Sequence, residues 1–239
     1  MNFHEKAETF LEKYKNNELL FIEDNHQGQV HNSYRYESWL FMIEKMYQFE
    51  RPVCVVETGT SISKKDGTTY ILGDFIKNHV GGKLITIDIN ENRIESCKEQ
   101  TKEFSGIIEY IHSDSVDYLK NYKGQNIDVL HQDSYDLDLQ RPWPSMHHHL
   151  KEIAFAYKKL SWDAVVIIDD NWFAPMWIDW YVASPLKPTM VHKPSRKRID
   201  ITEDIGKGIY VKFFLENLGW KCVSKNIPGK LNNIVMVKQ

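Results

Sequence analysis

The sequence predicts an α/β chain built on a doubly wound, mainly parallel sheet, and three observations carry that expectation. Short β-branched runs alternate with amphipathic helical segments, most of those runs end on an acidic or hydroxyl-bearing residue, and the last two apolar runs flank a Pro-Gly turn. With 239 residues, 42% hydrophobic and 26% charged, the chain is long enough for one sizeable domain with its own core. Counting five alternating strands and a terminal pair gives a seven-stranded sheet with a C-terminal antiparallel hairpin. Helices that precede the first strand would cap it.

The first 50 residues supply that helical cap. Apolar residues recur at helical spacing from Phe3 to Tyr14 and again from Ser38 to Phe49. The polar piece between them, EDNHQGQVHNSYRY, reads equally as a lid over a ligand and as a surface loop. Residues 51–239 form the main domain. Arg51-Pro52 marks a boundary, and Val53, Val55 and Val56 favour a strand that stops at Glu57 and breaks into a loop bounded by Gly59 and Gly67. Thr68 opens a helix closed by Gly81-Gly82. A strand, a glycine-bearing turn and a helix start make a cradle for a nucleotide cofactor, and equally a plain βα connection.

The pattern then repeats. Lys83 to Asn90 is a second strand with Asp88 at its end, followed by a helix; a third strand ends at Asp114 and Ser115, where another helix starts. A fourth strand ends around Asp133, a helix follows from Ser145, and a fifth strand ends at Asp169 and Asp170. The stretch 173–204 is long, proline-bearing and irregular, and reads as a lid or substrate insertion. Trp172, Phe173, Trp177, Trp180 and Tyr181 suit an apolar wall there as well as an ordinary core. A helix from about Ile205 and the terminal hairpin complete the chain.

The net charge of -3 argues against a general nucleic-acid binder, which needs a broad basic surface. Cys54, Cys97 and Cys222 are widely spaced and read as buried thiols of a reducing compartment. The N-terminal stretch is charged throughout and no apolar run reaches membrane-spanning length, so a cytoplasmic protein without a signal peptide is expected.

In open α/β sheets ligands sit beyond the carboxyl ends of the strands. The residues placed there are Glu57, Thr58, Gly59, Asp88, Asp114, Ser115, Asp133, Asp169, Asp170 and Asn171. Carboxylates gathered at one edge repel unless donors or cations offset them, so the set calls for a partner, although each one also reads as a helix cap. Asp133, Asp169, Asp170 and Asn171 have the oxygen chemistry that a hard divalent cation takes. His147, His148 and His149 are consecutive on a helix and point in different directions, which suits surface or packing roles better than a shared site.

The succession VVETGT, LITIDIN, IHSDS, IDVLHQDSYD and VVIIDDNW, ending in a strand hairpin, resembles a class I S-adenosylmethionine-dependent methyltransferase over roughly Val53 to Gln239. Within that class, QDSYD followed by IIDDNW is similar to the metal-dependent small-molecule O-methyltransferases of the macrocin and catechol types. The resemblance implies a Rossmann-like fold and a set of roles. Glu57, Thr58 and Gly59, with Thr60 and Ser61 in the same loop, would hold the methionine part of S-adenosylmethionine. Asp88 would hold the ribose, and Asp114 and Ser115 would lie near the adenine. Asp133, Asp169 and Asp170 would bind Mg²⁺ or a similar ion, with Asn171 competing with Asp169 for a place.

Two departures stand out. The glycine motif of the class is reduced to Gly59, with Gly67 beyond an expanded SISKKD loop. No lysine follows Asp133, where Ser134, Tyr135 and Asp136 stand, so another base is needed: Asp133 first, then His131 or one of His147, His148 and His149. The expected reaction is metal-assisted transfer of a methyl group to a hydroxyl of a small polar molecule such as a sugar or nucleotide-linked sugar. The basic residues Lys193, Arg196, Lys197 and Arg198 would favour an anionic acceptor. Neither nucleic acid nor membrane is an expected partner, and a homodimer is compatible with the reading. Gly59 and Asp88 alone fit a nicotinamide-dependent oxidoreductase equally well, and a non-catalytic binding module of the same fold is the third alternative.

Overall fold

Alternation along the strands decides the layering. Val53, Val55, Leu84, Ile108, Val129, Val165, Ile167 and Val235 pack into one core cluster, while Cys54, Val56, Ile85, Ile87, Leu130, Val166, Ile168, Ile234 and Met236 pack into a second. A strand that buries both faces needs apolar side chains at consecutive positions, which is the signature of parallel sheets covered on both sides. The computed structural model that shows this describes residues 1–16, 20–23, 30–62, 67–182, 195–225 and 231–238.

The main sheet contains β1 (Val53–Thr58), β2 (Gly82–Asp88), β3 (Ile108–His112), β4 (Ile127–Gln132), β5 (Leu160–Trp172), β6 (Trp220–Cys222) and β7 (Leu231–Lys238). Their spatial order is β6-β7-β5-β4-β1-β2-β3. The pairs from β3 across to β5 are parallel, whereas β7 runs antiparallel to β5 and β6 antiparallel to β7. A two-residue strand, Ile205–Gly206, pairs with the end of β5. The result is the Rossmann-like, doubly wound sheet with a C-terminal antiparallel hairpin that the sequence predicts.

Helices cover both faces. On the first, α1 (Phe3–Leu11), α2 (Tyr36–Gln48) and α3 (Thr68–Phe75) bury Phe10, Leu11, Trp39, Ile43, Ile71 and Phe75 in the same cluster as the β1 valines. The N-terminal helices therefore share their core with the sheet. Beside β2 and β3 lies α4 (Glu91–Gln100), and on the second face α5 (Ser115–Asn121), α6 (Trp143–Ala156) and α7 (Ile209–Glu216) contribute Leu119, Ile153, Ala156, Val211 and Leu215. Among the described residues no helix is long and apolar enough to cross a membrane.

Two segments differ from the sequence expectation. The piece after Trp172 is not wholly irregular, because Met176–Val182 pairs antiparallel with Ser195–Ile201 in a separate two-stranded sheet. The aromatic and β-branched residues of MWIDWYV and the alternation of RIDI favour strands there. The last helix starts at Ile209 rather than near Ile205, since Ile205 and Gly206 are taken up in pairing with Trp172 and Asn171. The side chains of the 176–201 hairpin, Trp177, Trp180, Tyr181, Arg196, Lys197 and Arg198 among them, lie outside the description, as do Lys193, most of the SISKKD loop and the Pro-Gly turn.

Gly59 is a tight joint at the carboxyl edge of the sheet. Its φ is +88°, and a Cβ there would stand 2.3 Å from the backbone oxygen of Asp133. Gly59→Ala should therefore destabilise the fold by at least about 2 kcal/mol, combining left-handed strain with a backbone clash. Urea unfolding measures it, and an unchanged midpoint would show that the two loops can separate freely.

Candidate functional site

The chain runs from β1 outward through β2 and β3, then crosses back to place β4 on the other side of β1. At such a reversal the loops leaving β1 and β4 diverge and a crevice opens at their carboxyl ends. Here the two loops touch: Gly59 lies on the backbone of Asp133, Asp133 N–H donates to Thr58 O at 2.8 Å, and Gly59 N–H donates to Ile87 O at 2.8 Å. The glycine turn and the first acid of the cluster are thus neighbours in space, although 74 residues separate them.

A cleft of ≈ 160 Å³ follows the ends of β1, β2 and β3, with Gly59, Asp88, Asp114, Ser115, Ser134 and His148 along it. Asp88 accepts hydrogen bonds from the backbone N–H of Thr60 (3.1 Å) and Asn90 (2.8 Å), and Arg93 Nε approaches it at 3.5 Å. Asp114 caps α5 through the N–H of Asp117, so it serves as a cap while bordering the cleft. Glu57 is fully buried and accepts from the hydroxyls of Thr68, Thr69 (2.6 Å) and Thr86 (2.7 Å). Thr60 pairs with Thr86, and Ser61 N–H donates to Thr69 Oγ1. Glu57 therefore fastens the start of α3 to β2.

The sequence reading overlooked Glu152, the hub of this end of the sheet. From the buried face of α6 its carboxylate accepts from Thr58 Oγ1 (3.1 Å), Gln132 Nε2 (2.8 Å), Ser115 Oγ (2.5 Å) and Ser134 Oγ (2.6 Å), with His148 Nε2 at 3.3 Å. Burial alone would raise its pKa, but these donors and the neighbouring His148 and His149 more than offset it and hold it at about 2. One carboxylate so ties the ends of β1 and β4 to the start of α5. The three consecutive histidines separate as helical geometry requires: His147 stacks on Tyr210, His148 reaches Glu152, and His149 is fully buried with Nδ1 against Ser145 O.

On the far side of Gly59 the acids collect. β5 carries a bulge against β7: Asn232 pairs with Asn171 and Ile234 with Ile168, so Asp169 and Asp170 together oppose Asn233. Asp170 takes up the extra residue with φ +55°. Successive residues of a regular strand face opposite ways, and the bulge cancels that alternation so that both carboxylates reach one guanidinium. Arg35, from the start of α2, lies 3.2 Å from Asp169 Oδ2 and 3.3 Å from Asp170 Oδ1. Asn171 turns to the backbone instead: its amide donates to Ile168 O and Asp169 O, and its oxygen accepts from Gly208 N–H at 2.7 Å.

Lys207 completes the cluster. Its ammonium, 2% exposed, bridges Asp133 Oδ1 and Asp170 Oδ2, the latter at 2.9 Å. Burial works against its charge, yet Asp133 and Asp170 outweigh burial and raise its pKa above the ordinary lysine value. Asp133, a third of whose side chain is exposed, is pushed up to about 6 by the crowding around it and by Asp169, with Lys207 opposing. Asp169 moves the other way, because Arg35 and His131 more than offset its burial. His131 is fully buried, 3.5 Å from Asp169 and 4.0 Å from Glu57, beneath the site rather than in the cleft.

A divalent cation fits these residues poorly. The positions between Asp133 and Asp170 and between Asp169 and Asp170 are filled by Lys207 and Arg35, and the Asn171 oxygen is committed to Gly208. Among the described residues no group of three or more His, Cys, Asp or Glu side chains has metal-ligating geometry. Lys207 and Arg35 left little trace in sequence. The one signal for Lys207 is its flanking by Gly206 and Gly208, where Cβ atoms would collide with Asn171 and Ile168.

No protein-family model matches the chain. Nor does any curated protein sequence. Among solved structures, a protein from Streptococcus mutans assigned as a methyltransferase and held in complex with SAH aligns over 82% of this chain and 94% of its own, at 10% identity and a TM-score of 0.49. A ribosomal protein L11 methylase from Lactobacillus delbrueckii subsp. bulgaricus aligns over 85% and 80%, at 13% identity and 0.48. A methyltransferase from Geobacter sulfurreducens aligns over 98% and 86%, at 9% identity and 0.48.

The Glu152 hub has a pH signature. Its pKa is about 2 in the fold against a usual 4.5, so its contribution of about 3 kcal/mol is complete above pH 4.5 and is lost as pH falls through that value towards 2. Glu152→Gln should cost about that much at pH 7 and progressively less below pH 4.5, read by denaturant unfolding at several pH values. A cost that does not change with pH would rule out the carboxylate charge as its source.

Proposed function

We propose that this chain is an S-adenosylmethionine-dependent methyltransferase that methylates a hydroxyl of a small molecule. The observation that carries the reading is a nucleoside-side cleft ending in Asp88 whose inner wall, Gly59, lies directly on Asp133. That contact sets a base beside the place where a cofactor's transferable group would end. The missing GxGxxG motif counts against a dinucleotide in the same cleft.

In this reading Asp88 holds the ribose hydroxyls, Asp114 and Ser115 border the adenine, and the backbone from Glu57 to Ser61 lines the methionine part. S-adenosylmethionine, when bound, supplies a methyl group on a cationic sulfur that departs as a neutral thioether. Asp133 accepts the acceptor's hydroxyl proton. With a pKa near 6 it is ionised at neutral pH yet basic enough to share a proton, and Lys207 claims Oδ1 while Oδ2 has no partner among the described residues. Lys207 and Arg35 supply the positive charge that would otherwise come from a metal, and hold Asp133, Asp169 and Asp170 in one arrangement. His131 supports Asp169 from below as a positioning residue.

Calorimetric titration with SAH tests the cofactor. Binding is expected, and Asp88→Ala should weaken it about 10- to 100-fold through loss of charge-assisted hydrogen bonds to the ribose. No binding by the parent would end the methyltransferase reading, and binding of reduced nicotinamide cofactor in its place would assign the cleft to an oxidoreductase. Once an acceptor is in hand, turnover should be unchanged by a chelator; a chelator that abolishes it would return a metal to the acid cluster.

Asp133 sets the pH profile. Turnover should rise as pH increases through about 6, as the carboxyl ionises, and then level off. Asp133→Asn should lose at least about 100-fold in kcat with SAH affinity kept within a few-fold. An activity that persists in Asp133→Asn with the same acid limb would show that another group takes the proton.

A further inference from the structure

One wall of the cleft at the ends of β1, β2 and β3 takes no part in the methyl transfer itself. Ser113, Ser115, Ser134 and His148 border it beside Asp114, and Tyr135 tilts its ring against that of His148 with the centroids 5.3 Å apart. A serine hydroxyl ordinarily both gives and takes hydrogen bonds. Here each hydroxyl hydrogen is committed elsewhere. Ser113 Oγ donates to Asp114 O at 3.0 Å, and Ser115 and Ser134 both donate to Glu152 Oε1, at 2.5 and 2.6 Å. For a ligand in the cleft the three serines have only lone pairs left.

The same carboxylate fixes His148. Its Nε2 lies 2.9 Å from Ser115 Oγ, whose hydrogen goes to Glu152, and 3.3 Å from Glu152 itself, which with a pKa of about 2 has no proton to give. Both partners can only accept, so Nε2 carries the hydrogen. A neutral imidazole has a single N–H, which leaves Nδ1 a bare acceptor. Nδ1 has no hydrogen-bond partner among the described residues, and it is not enclosed as both nitrogens of His131 and Nε2 of His149 are. Together with the Asp114 carboxylate, which caps α5, these side chains make the wall a row of acceptors.

We propose that His148 selects the base of the bound nucleoside: Nδ1 accepts from an exocyclic amino group and disfavours a base with an oxo group in the same place. The proposal rests on the methyltransferase reading, which puts adenine beside Asp114 and Ser115, and Ser115 is the residue that His148 touches. An amino group finds lone pairs on this wall and pairs with them. An oxo group sets its own lone pairs against them, and a site built for one hydrogen-bonding pattern rejects the other because its buried partners are left unmatched. His148 acts on the base directly. Glu152, fully buried, is a positioning residue that dictates which imidazole nitrogen is protonated.

The probes are SAH and S-inosylhomocysteine, in which a 6-oxo group replaces the 6-amino group, titrated calorimetrically into the intact protein at mildly alkaline pH. SAH should bind at least about tenfold more tightly. His148→Phe keeps a ring against Tyr135 and removes both nitrogens. It should lower that preference at least about fivefold by weakening SAH, with S-inosylhomocysteine affinity unchanged within about twofold. Equal loss of both affinities would assign His148 to packing alone and refute the proposal. If the variant does not fold, the parent protein decides: ¹⁵N spectra of the His148 imidazole should show Nε2 protonated and Nδ1 bare, with the Nδ1 signal shifted by SAH and not by S-inosylhomocysteine. A proton on Nδ1, or a preference unchanged in the variant, would overturn it. Absence of SAH binding by the parent would remove the methyltransferase reading and the proposal with it, whereas SAH bound with no preference over S-inosylhomocysteine would overturn the proposal alone.

Discussion

Three carboxylates meet at the ends of two neighbouring parallel strands, and the ammonium of Lys207 allows them to. Like charges at such separations in a partly dry environment repel strongly, and a fold that gathers them needs fixed positive charge or must protonate them. Lys207 spans Asp133 and Asp170, and Arg35 spans Asp169 and Asp170, so each acid shares a cation with a neighbour. Those two cations come from opposite ends of the chain. Closing the cluster therefore requires that the start of α2 and the segment before α7 both dock onto the sheet, and the site's assembly is coupled to completion of the fold.

A division of labour among the carboxylates follows. Glu152 and Glu57 are buried carboxylates that accept neutral hydroxyl and amide donors and act as fasteners below the strand ends. Asp133, Asp169 and Asp170 are paired with full charges above them. A carboxylate bound by hydroxyls is held in place yet keeps its negative field, whereas one bound by an ammonium has that field cancelled nearby. The electrostatic character of the crevice is thus set by which acids received cations rather than by how many acids there are.

The parts of this arrangement that depend on local pattern were legible in the sequence. Apolar runs marked β1, β4 and β5, and the acids at their ends were placed where ligands bind in such sheets. The choice among Asp169, Asp170 and Asn171 could not be made there, since strand alternation predicts that adjacent residues face apart and only the bulge defeats it. Lys207, Arg35 and Glu152 went unread for a different reason. Each acts on partners far along the chain, 74 residues in the case of Lys207 and Asp133, and no short-range spacing encodes such a contact. The hairpin from Met176 to Ile201 was missed because the stretch joining its strands is proline-bearing and charged and reads as one long irregular segment.

The loop after β1 is secured at both ends. Gly59 is locked against Asp133 at its start, and the hydroxyls of Thr68 and Thr69 are locked onto Glu57 at its finish. The two anchor points are therefore fixed by contacts outside the segment that joins them. A change of loop length between those anchors would leave both of them standing, so the cleft edge and the start of α3 behave as fixed hinges rather than as parts of the loop.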